Sequence, residues 1–118
     1  MKCLIIRKPW IDKIFDGNKT WELRSSRTSV RGPIGLITGG TGQITGCCQI
    51  DEVLGPFSRS ELDQEYDKHG VPPEFLLRVN YDKIYAWVLS QVHRYEVPIV
   101  YKHPQGAIKW VNVVYEEE

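Results

Sequence analysis

The chain has 118 residues, 42% of them hydrophobic and 25% charged, and its 15 Lys and Arg are matched by 15 Asp and Glu. That length supports one domain with a core of its own, and the ordinary composition argues against a disordered or disulfide-stapled chain. Zero net charge argues against salt-insensitive binding to long duplexes, and no apolar run nears the roughly 20 residues of a membrane span.

Residues 2–7 read as a first strand. Residues 8–17 follow as a short helix. Pro9 suits a first helical position, Ile11, Ile14 and Phe15 make one apolar face, and Gly17 offers the left-handed stop. From Thr20 the period changes to two, with Trp21 and Leu23 on one face and Thr20, Glu22 and Arg24 on the other. Lys19 stands at the mouth of that strand, so three charges of mixed sign meet at one helix–strand junction. Taken alone, such a face is more often solvated than functional.

Two further strands, 34–38 and 43–50, flank Gly39-Gly40-Thr41-Gly42. That run lacks both the Gly-Lys-Ser/Thr ending of a phosphate loop and the GxGxxG spacing, and it reads as a hairpin turn. Residues 58–69 fit a helix capped near Ser58 or Ser60, and Pro72-Pro73 opens another to about Val79. Strands are expected at 83–89, 93–101 and 107–115, before an acidic tail. The sum is an α+β fold, a small β-barrel of five to six mainly antiparallel strands with two to three short helices, as a single domain over 1–118.

Charge is unevenly spread. Residues 1–31 hold eight Lys or Arg against three acids, residues 51–67 hold six acids against Arg59, and residues 32–50 carry none. A basic segment on a neutral chain can hold a phosphate backbone locally. The three cysteines form no CxxC pair and have no His/Cys ligand spacing, so reduced thiols, no metal and no cofactor are expected, with a cytoplasmic location as the default. Cys47 and Cys48 should face opposite ways on their strand. Trp21, Trp87 and Trp110 read as core, whereas Trp10 at the helix start could stack a base. His69 and His103 read as surface or turn residues.

Lys8-Pro9-Trp10, then Gly17-x-Lys19-x-x-Glu22-x-Arg24, then Tyr85-Ala-Trp-Val-Leu89, then His103 through Trp110 with its Pro-x-Gly turn, together resemble the ASCH domain family across nearly the whole chain. The resemblance implies a PUA-like β-barrel with a cleft beside Lys19–Arg24 for single-stranded RNA or a nucleotide. Some members are regarded as nucleic-acid-binding modules; others resemble an amidohydrolase that deacylates N4-acetylcytidine, and a ribonuclease activity is also described. The amidohydrolase type uses a lysine, a threonine three positions later and a distant glutamate. Here Lys19 matches, but Glu22 stands in the threonine position, and Glu65 and Asp67 are acid candidates by region only.

A lysine serves as base or nucleophile only when its pKa falls well below about 10.4. Arg24 would help depress that of Lys19, whereas Glu22 would hold it charged. The cluster favours recognition: cations take phosphate or carbonyl oxygens, and Glu22 accepts from a base edge. Lys8, Trp10, Lys19, Glu22, Arg24 and Lys109 are the expected ligand-binding residues, with Lys19 and Glu22 catalytic only if the chain is an enzyme. Lys102 and Lys109 flank the late turn and could edge the same cleft. No membrane partner is expected.

Overall fold

The computed structural model describes residues 1–79 and 82–114. Among these residues are six strands: β1 (Lys2–Ile6), β2 (Trp21–Arg24), β3 (Gly32–Thr38), β4 (Gln43–Phe57), β5 (Ile84–Val100) and β6 (Trp110–Asn112). Four short helices accompany them: α1 (Trp10–Phe15), α2 (Arg59–Asp63), α3 (Tyr66–His69) and α4 (Pro73–Leu76).

All six strands join one sheet in the order β2-β5-β4-β3-β1-β6, antiparallel except where β1 runs parallel to β3. The α+β class and the mainly antiparallel sheet are as expected. Closure is not: among the described residues β2 and β6 end the sheet without pairing, so it is open rather than a barrel. Side chains span part of that gap instead. Arg24 on β2 donates from Nη2 to the Ile5 carbonyl on β1 at 2.9 Å, and Lys109, just before β6, donates to Ser26 Oγ at 2.9 Å. We call this gap the seam.

Other differences concern extent. β4 and β5 are each one long strand where shorter pieces were expected, with register shifts along their pairing that let them bend without ending. β6 covers only three residues of the expected 107–115, of which Tyr115 lies outside the described residues. The expected helix at 58–69 is two, α2 and α3. Ser58 caps α2 with a reciprocal Glu61 capping box, and Gly70 ends α3 in the left-handed region. Pro9 is the cap of α1 rather than its first residue, after a cis Lys8–Pro9 bond.

The core has three parts. Leu4, Ile6, Ile11, Ile14, Ile34, Leu36, Ile50, Trp87 and Leu89 join α1 to the sheet. Gly46 permits that docking, because a side chain there would collide with the Phe15 ring and the His93 carbonyl. Cys3, Ile37, Ile44 and Val111 fill the other face. Leu62, Val71, Leu76 and Ile84 bind the helical insert that carries α2, α3 and α4 between β4 and β5, with Trp10, Leu23 and Phe57 packed against them. Cys48 joins the core while Cys47 is only half-buried, the alternation expected of neighbours on a strand. Trp21 and Trp87 are buried as expected; Trp110 is half-buried and stacks on Trp87 at 5.9 Å.

Candidate functional site

The helix–strand junction is built from the backbone first. Gly17 turns with φ near 83°, and the N–H groups of Asn18 and Lys19 both donate to the Lys13 carbonyl. That folds the chain back so that Thr20 bridges two elements: its N–H donates to Lys68 O on α3, and its carbonyl accepts from Leu89 N on β5, both at 2.8 Å. β2 is an edge strand, yet it is not solvated, because the insert packs against it. The bland reading of a solvated charged face therefore fails here, for a reason that lies some 50 residues away.

Lys19 is 1% exposed and Glu22 6%. The Lys19 ammonium donates to the His69 carbonyl at 2.6 Å and stands 3.7 Å from Glu22 Oε1, with the Trp10 ring centroid 5.8 Å away. Glu22 Oε2 accepts from Arg24 Nε at 3.1 Å and Nη2 at 2.8 Å, a bidentate clamp. The three charges thus form a chain, Lys19–Glu22–Arg24, whose outer cations are tied to the insert and to β1. Burial pulls the Lys19 pKa from 10.5 down to about 8, against the opposing pull of Glu22, with Lys13 and Arg24 adding to the fall.

These side chains line a cleft of about 280 Å³ at the seam, at the small end of the range for ligand pockets. Trp10, Leu23, Ile84 and the insert residues Val71, Leu76 and Val79 form apolar walls; Ile5, Ile6 and Arg7 at the end of β1 and Ile108 complete it. Trp10 meets Phe75 edge-on at 5.6 Å and so is braced by α4. Lys109 reaches the neighbourhood of Arg24. Both cations lie over the Trp87 ring, at 5.3 and 5.7 Å, and burial followed by the Arg24 charge lowers the Lys109 pKa.

Of the expected ligand-binding residues, the structure brings Trp10, Lys19, Glu22 and Arg24 into one cleft and Lys109 to its edge. Lys8 is elsewhere, in an open depression beside the β3–β4 turn. Lys102 borders a different hollow with Ile99, Tyr101 and Asn112. Glu65 pairs with Lys68 rather than entering the cleft. His69 is corrected outright: it is fully buried, its Nε2 contacts Leu62 O at 2.6 Å, and its Nδ1 accepts from Val71 N at 2.9 Å. With Nδ1 accepting, Nε2 carries the proton, and burial lowers the imidazole pKa. Sequence reasoning missed both His69 and the insert wall. The capping signal near Ser58 marked a helix but not the surface it would cover.

A charged, half-apolar cleft set in the seam of an open α+β sheet is the candidate site of this small domain. A family model for the ASCH domain matches residues 4–114, and this chain belongs to that family, whose PUA-like fold is often RNA-binding. The fold is similar to the crystal structure of ASCH from Zymomonas mobilis, with a TM-score of 0.70 at 14% identity over 88% of this chain and 82% of that one. A mutant of that Zymomonas mobilis protein gives a TM-score of 0.72 at 15% identity, over 94% and 87% of the two chains. No curated protein matches this chain in sequence.

Proposed function

We propose that this ASCH domain binds single-stranded RNA or a nucleotide, seating one unpaired base in the seam cleft against Lys19, Glu22 and Arg24. The observation that carries this reading is the pattern of bonding capacity left over in the buried triad. An ammonium has three N–H groups, and Lys19 commits one to His69 O while a second faces Glu22. Arg24 commits Nε and Nη2, which leaves the two N–H groups of Nη1. Glu22 Oε1 retains acceptor capacity, since its nearest cation stands 3.7 Å away. Donors and an acceptor side by side suit a base edge carrying a carbonyl beside an amine or ring N–H, and Trp10 supplies an aromatic wall.

Such a site discriminates by leaving buried groups unpaired when the wrong edge enters. The test is a titration of the pure domain with the four nucleosides, their monophosphates and N4-acetylcytidine. Lys19→Ala and Glu22→Gln are each expected to weaken the best ligand by at least about tenfold, the cost of one charge-assisted hydrogen bond. Unchanged affinity in both variants would refute the assignment.

A hydrolytic reading has one observation in its favour, the Lys19 pKa near 8, which makes a neutral amine accessible at working pH. Against it, Glu22 stands three positions after Lys19 and holds the ammonium charged. Ultraviolet monitoring of N4-acetylcytidine decides the matter. Turnover lost in Lys19→Ala but kept in Glu22→Ala would favour the enzyme.

A further inference from the structure

Most cations of the basic N-terminal segment are engaged. Lys2 lies over Trp110, Lys13 donates to Gly70 O, Arg27 to Gly55 O, and Arg31 to the Thr28 and Val30 carbonyls. Lys19 and Arg24 belong to the triad. Among the described residues, Arg7 and Lys8 are the two cations of this segment with neither an ion pair, a hydrogen bond nor a ring contact from their side chains, and both are exposed.

They stand together at one place. Arg7 and Lys8 follow β1 directly and, with Thr38, Gly39, Gly40 and Thr41, line an open depression of about 470 Å³. The turn is fixed there by Gly39 N–H donating to Ile6 O at 2.9 Å. Gly39 also makes room for Arg7: a Cβ at that position would come within 3.0 Å of Arg7 Cγ. The polar side chains of the turn are satisfied internally, Thr41 Oγ1 by the Thr38 carbonyl at 2.7 Å and Thr38 Oγ1 by Thr45 Oγ1 at 2.9 Å. What the depression offers a ligand is therefore two unopposed positive charges. The glycines shape the turn and supply no phosphate loop.

Arg7 also lines the seam cleft, so the two hollows share one lining residue. The cleft has bonding capacity for a base and the neighbouring depression has charge for an anion. That order, base site then cation pair, is the order of groups along a polynucleotide. We propose that the Arg7–Lys8 depression is a phosphate subsite, holding the phosphodiester next to the base seated against Lys19, Glu22 and Arg24. This inference rests on the base-site reading and deepens it: the ligand is an oligonucleotide strand rather than a free nucleoside.

The test uses a fluorescein-labelled RNA hexanucleotide pool of random sequence, followed by anisotropy at several salt concentrations, with unlabelled nucleosides and inorganic phosphate as competitors. Lys8→Glu is expected to weaken hexanucleotide binding tenfold or more and to flatten the slope of log affinity against log salt by about 0.7 for each phosphate no longer neutralised. Nucleoside competition at the cleft should be unaffected by that variant. Lys83→Glu, a reversal at an exposed lysine that lines neither hollow, should leave all constants near wild type.

Wild-type hexanucleotide affinity and slope in Lys8→Glu would overturn the phosphate subsite while nucleoside competition still supported the base site. Equal weakening in Lys8→Glu and Lys83→Glu would also overturn it, by showing diffuse charge attraction. Inorganic phosphate displacing the RNA as well as a nucleotide does would show a free-anion site and overturn the strand reading. Hexanucleotide binding that no nucleoside competes with and Lys19→Ala leaves intact would sink the base site instead. A wild-type domain that binds no hexanucleotide overturns the phosphate subsite, and the direct nucleoside titration then decides the base site.

Discussion

Two Lys–Glu pairs in this molecule have the same composition and the same three-residue spacing, Lys19 with Glu22 and Glu65 with Lys68. The second pair is 3.0 Å apart with side chains 45% and 34% exposed; the first is 3.7 Å apart at 1% and 8%. The shorter pair is the weaker feature. Water and salt screen Glu65–Lys68, and holding two flexible side chains together offsets most of the gain. Lys19–Glu22 cannot exchange its partner for water, so each charge depends on the other and on Arg24 for its presence in the fold. Distance alone does not rank ion pairs; what covers them does.

The contrast can be broken at its strongest point first. Glu22→Ala leaves the Lys19 ammonium and the Arg24 guanidinium without their shared carboxylate. It is expected to cost about 3–5 kcal/mol in urea unfolding, the scale for removing one partner of a buried pair. A cost below about 1 kcal/mol would mean that the cleft is wet enough to treat the triad as surface. The Lys19 pKa should fall further in this variant, because Glu22 is the main force holding it up.

The pH dependence of stability sharpens the same comparison. With a folded pKa of about 8 against 10.5, Lys19 releases its proton in the folded state before the unfolded chain does. Between those values the unfolded chain binds more protons, so stability rises with pH across that window. Below about pH 8 the folded protein carries the full cost of the buried ammonium. Relative to Lys19→Met, the wild type should gain about 3 kcal/mol between pH 7 and 10.5, from a shift of this size at about 1.4 kcal/mol per pH unit. Parallel stability curves for the two proteins would contradict it. The smallest effect is expected at the exposed pair, where Glu65→Ala should change unfolding free energy by no more than about 0.5 kcal/mol.

Local signals carried the fold a long way. The period change at Thr20, the apolar face of α1, the stop at Gly17 and the cap at Ser58 each act within a few residues, and each element starts or ends near where its signal put it. The triad's membership was legible too, because Lys19, Glu22 and Arg24 alternate with Trp21 and Leu23 along one strand. Its burial was not. That depends on Leu62, Val71 and Leu76 closing over the strand and on His69 presenting a carbonyl to Lys19 across 50 residues of chain, and no periodicity encodes that meeting. Lys8 shows the converse. Its place next to Pro9 at the start of the helix suggested a contact at the same site as Trp10, but the turn after β1 puts its neighbourhood beside Gly39 and Gly40. Closure of the sheet failed for a similar reason, since whether β2 meets β6 depends on the filling between them.

The seam has a mechanical consequence. Everywhere else the sheet is sewn by backbone ladders, whose bonds open cooperatively with the fold. Across the seam, the Arg24–Ile5 and Lys109–Ser26 hydrogen bonds join side chain to backbone and side chain to side chain. Each contributes on the order of 1 kcal/mol, and side chains rearrange in nanoseconds or less. Rotating these two side chains would therefore widen the aperture without any strand leaving its register. Arg24 closes the seam through Nη2 and keeps Nη1 uncommitted, so closing the seam and facing the cleft fall to one guanidinium.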